Sequence, residues 1–507
     1  MAGSADHLVM GVDIGTTAVK VLVLDPKTGQ YVQARSREHQ LYSERPGWAE
    51  ESPEDWIAGM VEAVAALKGQ VDLARVRAIG VSGMVPALLL LDQEHRVLRR
   101  SIQQSDGRTG EEVAEIGQRF SPSAIFDQTG SWPNQQHILP RLLWLRRHEP
   151  AIWDRISQVV GSYDYIRGWM TGQFGVEENW AIESGLFAWK SGQWMNDLLC
   201  EFEIPKAWFS APIAPVTLAG TLQSEPAALL GVPAGIAVVG GSADHVASAL
   251  AVGIDRPGDL LIKFGGAGDI LYCTDRPEFH QKLYFDRHDL ADLFLLNGCM
   301  AASGSLVRWL LDRIGAKESD LGELDRQAAA VAPGSDGIVV LPYFLGEKTP
   351  LFDPGARGVV FGLMLHHQNA HLFRAVLESV IYGFAHHIEV LEEAGHSIGR
   401  ILATNGGARS QIWRQIAADV LGRPVQAFPD HPGSALGVAM VAGMGAGLLS
   451  PEQAIELGAA GMVTHVPDPA AHAVYREGYR LYRELYERTK PLLELSHHMS
   501  EKGGAAR

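Results

Sequence analysis

Two stretches lying half a chain apart share one design. Met10-Gly-Val-Asp-Ile-Gly-Thr-Thr-Ala-Val-Lys-Val-Leu-Val-Leu-Asp25 is an apolar run, a Gly-Thr-Thr bend beside a carboxylate, and a second apolar run ending at Asp. Gly258-Asp-Leu-Leu-Ile-Lys-Phe-Gly-Gly-Ala-Gly-Asp-Ile-Leu-Tyr-Cys-Thr-Asp275 repeats it around a Gly-Gly-Ala-Gly bend. Apolar runs of this length broken by glycine read as β-hairpins. Their recurrence predicts two related domains, each opening with a hairpin. At 507 residues the chain is also too long for one hydrophobic core. The expected boundary is Gly253-Ile-Asp-Arg-Pro257, which divides the chain into 1–253 and 254–507.

The segments between the hairpins support an α/β class. Val76–Ser82 and Leu88–Leu91 read as buried strands, and Pro53–Leu67 as an amphipathic helix with Ser52 as N-cap and Pro at its first position. Later, residues 366–394 carry an apolar helical pattern, and Tyr475, Tyr479, Tyr482 and Tyr486 recur at helical spacing, which suits a packed face. The pairs His366–His367, His386–His387 and His497–His498 are poor chelators if helical, since neighbouring side chains point about 100° apart.

Charge narrows the function. A net charge of −16 argues against binding nucleic acid or an anionic membrane surface, while leaving room for a small anion held by local donors. The three cysteines lack metal-ligand spacing, no apolar run has the length of a membrane span, and no basic-then-apolar leader opens the chain. The expectation is a cytoplasmic protein.

Four places carry candidate chemistry. At the first bend, Gly15, Thr16 and Thr17 offer backbone N–H groups and hydroxyls beside Asp13 and Lys20, which suits phosphate oxygens; an ordinary turn whose threonines satisfy their own backbone fits equally. In Val238-Val-Gly-Gly-Ser-Ala-Asp244, the Asp is either a helix cap or a general base at a cleft rim. In Leu402-Ala-Thr-Asn-Gly-Gly-Ala408, a strand runs through glycines into a helix, as a plain turn or as a seat for a flat or phosphorylated ligand. Leu341-Pro-Tyr-Phe-Leu-Gly-Glu-Lys-Thr-Pro350 reads locally as a strand and a structural loop. Neither a Walker A loop, a G-x-G-x-x-G fingerprint nor a G-x-S-x-G elbow is present.

Taken in order, these segments resemble the FGGY family of carbohydrate kinases. The resemblance rests on Asp13-x-Gly-Thr-Thr17, Gly241-x-x-Asp244, Leu341-Pro-Tyr-x-x-Gly-Glu-x-Thr-Pro350 and Gly358-x-x-Phe-Gly-Leu363. It continues through His371-Leu-x-x-Ala-Val-Leu-Glu378 and Gly406-Gly-Ala-x-Ser410 with Trp413-Arg-Gln-x-x-Ala-Asp419. It implies two ribonuclease-H-like, actin-like ATPase domains with ATP and sugar between them. Gly15, Thr16, Thr17 and Lys20 would then meet the ATP phosphates, with Gly265 and Gly266 serving from the second domain. Gly406, Gly407 and Ala408 would lie against the adenosine, Asp13 would hold Mg²⁺, and Asp244 would take the proton of the attacking hydroxyl. The family also makes a homodimer common.

Sugar recognition departs from the xylulokinase pattern. Pro46-Gly-Trp-Ala-Glu50 matches a segment near the sugar, which makes Trp48 and Glu50 candidates. Gly83-Met-Val-Pro-Ala stands where that subfamily has Gly-Gln-Met-His-Gly, and Gln104-Ser-Asp-Gly-Arg108 where it has Trp-Asn-Asp-x-Arg. Met84, Asp106 and Arg108 are therefore candidate sugar contacts, the last two equally an ion pair ordering a loop. Asn179-Trp-Ala-Ile-Glu-Ser-Gly185 stands in place of Asp-Tyr-Ser-x-Ala-Ser, and the Gly265-Gly-Ala-Gly bend in place of Gly-Thr-Ser-Gly. The expected acceptor is a ketopentose such as xylulose. Another ketose or a polyol (ribulose, erythritol, glycerol) comes next, and a non-kinase actin-like ATPase is the competing class.

Overall fold

A computed structural model describes residues 7–504. Two seven-stranded mixed sheets form its frame. The first runs, in spatial order, Leu218–Thr221, Ala237–Val239, Val76–Gly83, Leu8–Ile14, Val19–Leu24 and Tyr31–Arg35, with Ser242–Ala243 added at the end of Val76–Gly83. All seven residues of Leu8–Ile14 are buried, as expected of a central strand with both faces covered. It pairs antiparallel with Val19–Leu24 and parallel with Val76–Gly83.

The second sheet runs Tyr284–Arg287, Phe294–Met300, Gly268–Thr274, Leu260–Phe264, Ile401–Thr404, Val425–Ala427 and Val463–His465. Its hairpin, Leu260–Phe264 with Gly268–Thr274, occupies the position that Leu8–Ile14 with Val19–Leu24 holds in the first sheet: antiparallel to its partner and parallel to a later strand. The repeated design in the sequence is thus a repeated position in two sheets.

One helix joins the halves. Ser434–Gly445, from late in the chain, packs on the first sheet against Leu8–Ile14 and Val76–Gly83 and alongside helix Asp244–Ala251. Its sequence, SALGVAMVAGMG, is small and apolar on every side, so backbones meet closely. A Cβ on Gly437 would lie 1.8 Å from the carbonyl oxygen of Ala247, and one on Gly11 2.1 Å from that of Ala435. This seam is a second core, separate from the larger one behind the two sheets.

Local expectations hold with shifts at the ends. The early helix spans Pro53–Ala66, but Ser52 does not cap it with its side chain; the hydroxyl donates to the Glu54 carboxylate. The long helix is Asn369–Glu393, starting later than the pattern suggested because residues 366–368 form the turn before it. The tyrosine row lies on helix Pro469–Gly504. There Tyr475 donates to Glu378 Oε1 at 2.9 Å and Tyr482 lies 2.7 Å from the Tyr343 hydroxyl, so it is a packed face with its polar ends satisfied. No helix among the described residues is long and apolar enough to cross a membrane.

Candidate functional site

The two hairpins carry mirrored charge pairs. In the first, Asp13 faces Lys20 across the strands, one step before the turn, with Lys20 Nζ 3.8 Å from Asp13 Oδ2. In the second, Lys263 faces Asp269 at the same step, with Nζ 3.5 Å from Oδ2. Asp13 accepts a hydrogen bond from Ser82 Oγ at 3.0 Å. Burial raises its pKa and the nearby Asp244 charge adds to this, outweighing Lys20, Ser434 and Ser82. The turn itself, with Thr16 and Thr17 exposed, lines neither of the cavities described below; Thr17 Oγ1 accepts from Arg35 at 3.3 Å.

Asp244 is aimed by its strand. Ser242–Ala243 pairs in parallel with Ser82–Gly83, and the chain turns straight into helix Asp244–Ala251. Asp244 lines a cavity of about 220 Å³ shared with Met84, Gln104, Glu183, His245, Lys263 and Lys348. Burial opposes its ionisation, but the hydrogen bond from His245 and the charge of Lys263 prevail and hold its carboxyl below the usual range. His245 Nδ1 lies 3.5 Å from Asp244 Oδ1, and its Nε2 lies 2.9 Å from Asp286 Oδ2 on a strand of the second sheet. Burial works against an imidazolium there. The carboxylates of Asp286, Asp244 and Glu183 outweigh it and push His245 well above its ordinary pKa. Glu183 is itself pushed up to about 8, by burial first and then by Asp286.

A larger cavity, about 520 Å³, opens in the second half. Gly265, Gly266, Gly406 and Gly407 converge on it from two loops, together with Arg308, Asp325, Phe373 and Trp413. Strand Ile401–Thr404 does not run directly into the helix: a 3-10 turn, Gly406–Arg409, intervenes before Gln411–Leu421, which Ser410 caps by accepting from Trp413 N at 3.2 Å. Trp413 stacks on Phe264 with ring centroids 5.0 Å apart, forming one apolar wall. Ala408 is fully buried beneath the turn and does not line the space.

Trp48, Glu50, Asp106 and Arg108 meet each other and line neither cavity. Arg108 Nε and Nη2 donate to the two Asp106 oxygens at 2.8 and 2.7 Å, and Nη2 lies 2.7 Å from Glu50 Oε1. The guanidinium lies 3.8 Å over the Trp48 ring. Asp106 also accepts from Ala49 N at 2.7 Å, so the group ties loop 103–108 to the Trp48 segment. From that loop only Gln104 reaches the smaller cavity, beside Met84.

The histidine pair before helix Asn369–Glu393 departs from expectation. Because His366 and His367 sit in a turn, both rings reach Asp336 Oδ2, at 2.6 and 3.4 Å. His367 Nδ1 accepts from Met364 N at 3.0 Å, which leaves its proton on Nε2, facing the carboxylate. That arrangement gathers two imidazoles and one carboxylate at a single turn.

Several cavity residues escaped the sequence reading. His245 directly follows Asp244, yet its partner Asp286 lies far along the chain. Lys263 did carry a signal, a single charge inside Leu260-Leu-Ile-Lys-Phe264, where all five residues are buried.

Residues 8–251 match the N-terminal domain, and residues 279–446 the C-terminal domain, of the FGGY family of carbohydrate kinases. The chain is 31% identical over 497 residues to the xylulose kinase of Escherichia coli (strain K12), covering 96% of this chain and 100% of that one. It is 30% identical over 497 residues to the xylulose kinase of Bacillus subtilis (strain 168), covering 96% and 97%. Among solved structures, the crystal structure of xylulose kinase from Rhodospirillum rubrum superposes with a TM-score of 0.87 at 42% identity, covering 96% of this chain and 100% of that chain.

Proposed function

The chain belongs to the FGGY family of carbohydrate kinases, and from that premise we propose that it phosphorylates a ketopentose, xylulose first, with Asp244 as general base. The observation that carries this reading is the position of Asp244. It is a carboxylate at a helix start, in a cavity of about 220 Å³ bounded by residues of both halves, and the segment 263–267 supplies wall residues both to it and to a larger glycine-lined cavity. The two halves are ribonuclease-H-like domains meeting near residues 253 and 254, a division supported by the mirrored hairpins. ATP occupies the larger cavity, its adenosine against Gly406, Gly407 and the Trp413 wall, with Ala408 shaping the turn from beneath.

The reaction balances simply. The acceptor oxygen attacks Pγ; the new O–Pγ bond forms as the bond to the bridging oxygen breaks; ADP leaves; the hydroxyl proton passes to Asp244. A depressed pKa suits this base, because in a loose transition state the hydroxyl proton is lost late. Asp13 and Asp244 are two carboxylates close enough to repel one another, and such a pair of oxygen donors fits a hard divalent cation. Asp13 would hold Mg²⁺, which when bound supplies neutralisation of the phosphate charge. Gly15, Thr16, Thr17 and Lys20 meet the phosphates when the halves close, a motion open to two bodies joined at a seam.

Acceptor choice rests on Met84, Gln104, Glu183 and His245, which line the cavity. Trp48, Glu50, Asp106 and Arg108 support that wall from behind through loop 103–108. Hydroxyl recognition depends on individual donors and acceptors, so this lining decides among ketopentoses, other ketoses and polyols. The test is ADP release with Mg·ATP across xylulose, ribulose, erythritol, glycerol and aldonates. A strong response to xylulose supports the proposal. A response confined to another compound keeps the kinase and replaces the acceptor.

A further inference from the structure

Lys263 sits on the strand that supplies wall residues to both cavities. It lines the smaller one with Asp244, while the next three residues turn away: Phe264, Gly265 and Gly266 line the larger one. Its side chain is 8% exposed, and among the described residues its one ion-pair partner within 4 Å is Asp269, at 3.5 Å. An ammonium has three N–H donors, so this single long contact leaves donors for something else in the cavity. Burial disfavours its charge. Asp269, Asp244 and Asp13 outweigh that and keep it cationic. The turn it precedes, Gly265-Gly266-Ala267, has no side-chain hydroxyl, so beyond backbone N–H groups the second hairpin offers this one cation.

We propose that Lys263 is a catalytic residue, donating from Nζ to an oxygen of the γ-phosphoryl group as it passes from the larger cavity to the acceptor in the smaller one. The inference rests on the reading of those cavities as the ATP and acceptor sites. Charge on the transferring group is redistributed in the transition state, and a fixed cation in a site poor in water stabilises it without reorganising. Asp269 is the positioning residue: placed directly across the hairpin and lining the same cavity, it holds the ammonium in the smaller cavity.

The test uses Lys263→Met, which keeps length and burial, and Lys263→Arg, which keeps charge. Two rates are read: phosphorylation of the acceptor, and the slow hydrolysis of ATP to water without acceptor, which needs no knowledge of the sugar. Lys263→Met is expected to lower kcat in both by about 10²- to 10³-fold, as for loss of one transition-state donor, with KM for ATP and ADP affinity unchanged. Lys263→Arg recovers part of the loss. Full activity in Lys263→Met overturns the proposal, and so does a loss of ADP affinity equal to the loss of rate, which marks a ground-state or folding role. If Asp244→Asn turns over normally while Lys263→Met is inert in hydrolysis, the base assignment fails and the Lys263 role stands.

Discussion

His245 Nε2 lies 2.9 Å from Asp286 Oδ2, a hydrogen bond that joins the helix carrying Asp244 to a strand of the opposite sheet. The other ring nitrogen faces Asp244, so one imidazolium is held between the proposed base and a buried carboxylate of the second half. Under the proposed function this contact serves acceptor binding, because it fixes the cavity wall next to the proposed base and ties that helix to the second sheet. His245→Asn and Asp286→Asn should each lower kcat/KM for the acceptor by about 10- to 100-fold, the value of a buried charge-assisted hydrogen bond, with KM for ATP unchanged. Steady-state kinetics with each substrate varied in turn checks this; equal losses for both substrates would make the contact a general structural tie.

Backbone contact at Gly437 leaves no room for a side chain there. Gly437→Ala should destabilise the protein by about 1–3 kcal/mol, because its Cβ would fall 1.8 Å from the Ala247 carbonyl oxygen and the helices must part. Urea unfolding measures it, and activity should fall with it, since Ala247 is on the Asp244 helix.

At Gly406 the opposite holds: a Cβ there meets nothing within 4 Å and points into open space beside the larger cavity. Gly406→Ala should therefore leave stability intact, while Gly406→Leu should raise KM for ATP by about tenfold or more, a cost of ~1.4 kcal/mol. KM for the acceptor should not move. A rise in acceptor KM with ATP binding intact would place the nucleotide elsewhere.

Stability should carry a pH signature from Glu347. Burial pushes its carboxyl up to about 8 from the usual 4.5, against hydrogen bonds from Ala301 N and Lys348 N. A carboxyl raised in the folded state stabilises fully below its unfolded pKa, and that contribution is lost as pH rises through the folded value. Wild-type stability should thus fall across that window with a slope from this group of up to about 1.4 kcal/mol per pH unit. Glu347→Gln, neutral throughout, should show a shallower fall over the same range; identical slopes in denaturant titrations would reject the assignment.

The parts legible in the sequence are short-range. Both hairpins, the Gly-x-x-Asp approach to Asp244 and the glycine turn at 406 are each set within about twenty residues, where spacing and turn chemistry speak directly. The parts that were not legible depend on distant partners. Nothing local says that Ser434–Gly445 packs on the first sheet; an all-round apolar pattern says only that it is buried. Arg108 and Asp106 were readable either as sugar contacts or as an ion pair. In the structure they are paired with each other, and Glu50 and Trp48 close around them, because a buried guanidinium needs those partners. Asp286 gave no sign, since its partner is a histidine on the Asp244 helix, far away in the chain.

The most direct test of this account is single-turnover transfer of ³²P from [γ-³²P]ATP to xylulose by wild type and Asp244→Asn, with ADP affinity measured alongside. The account predicts that transfer falls by about 10²- to 10⁴-fold, the value of a positioned general base, while ADP affinity and unfolding midpoint are unchanged. Near-normal transfer by Asp244→Asn would contradict it.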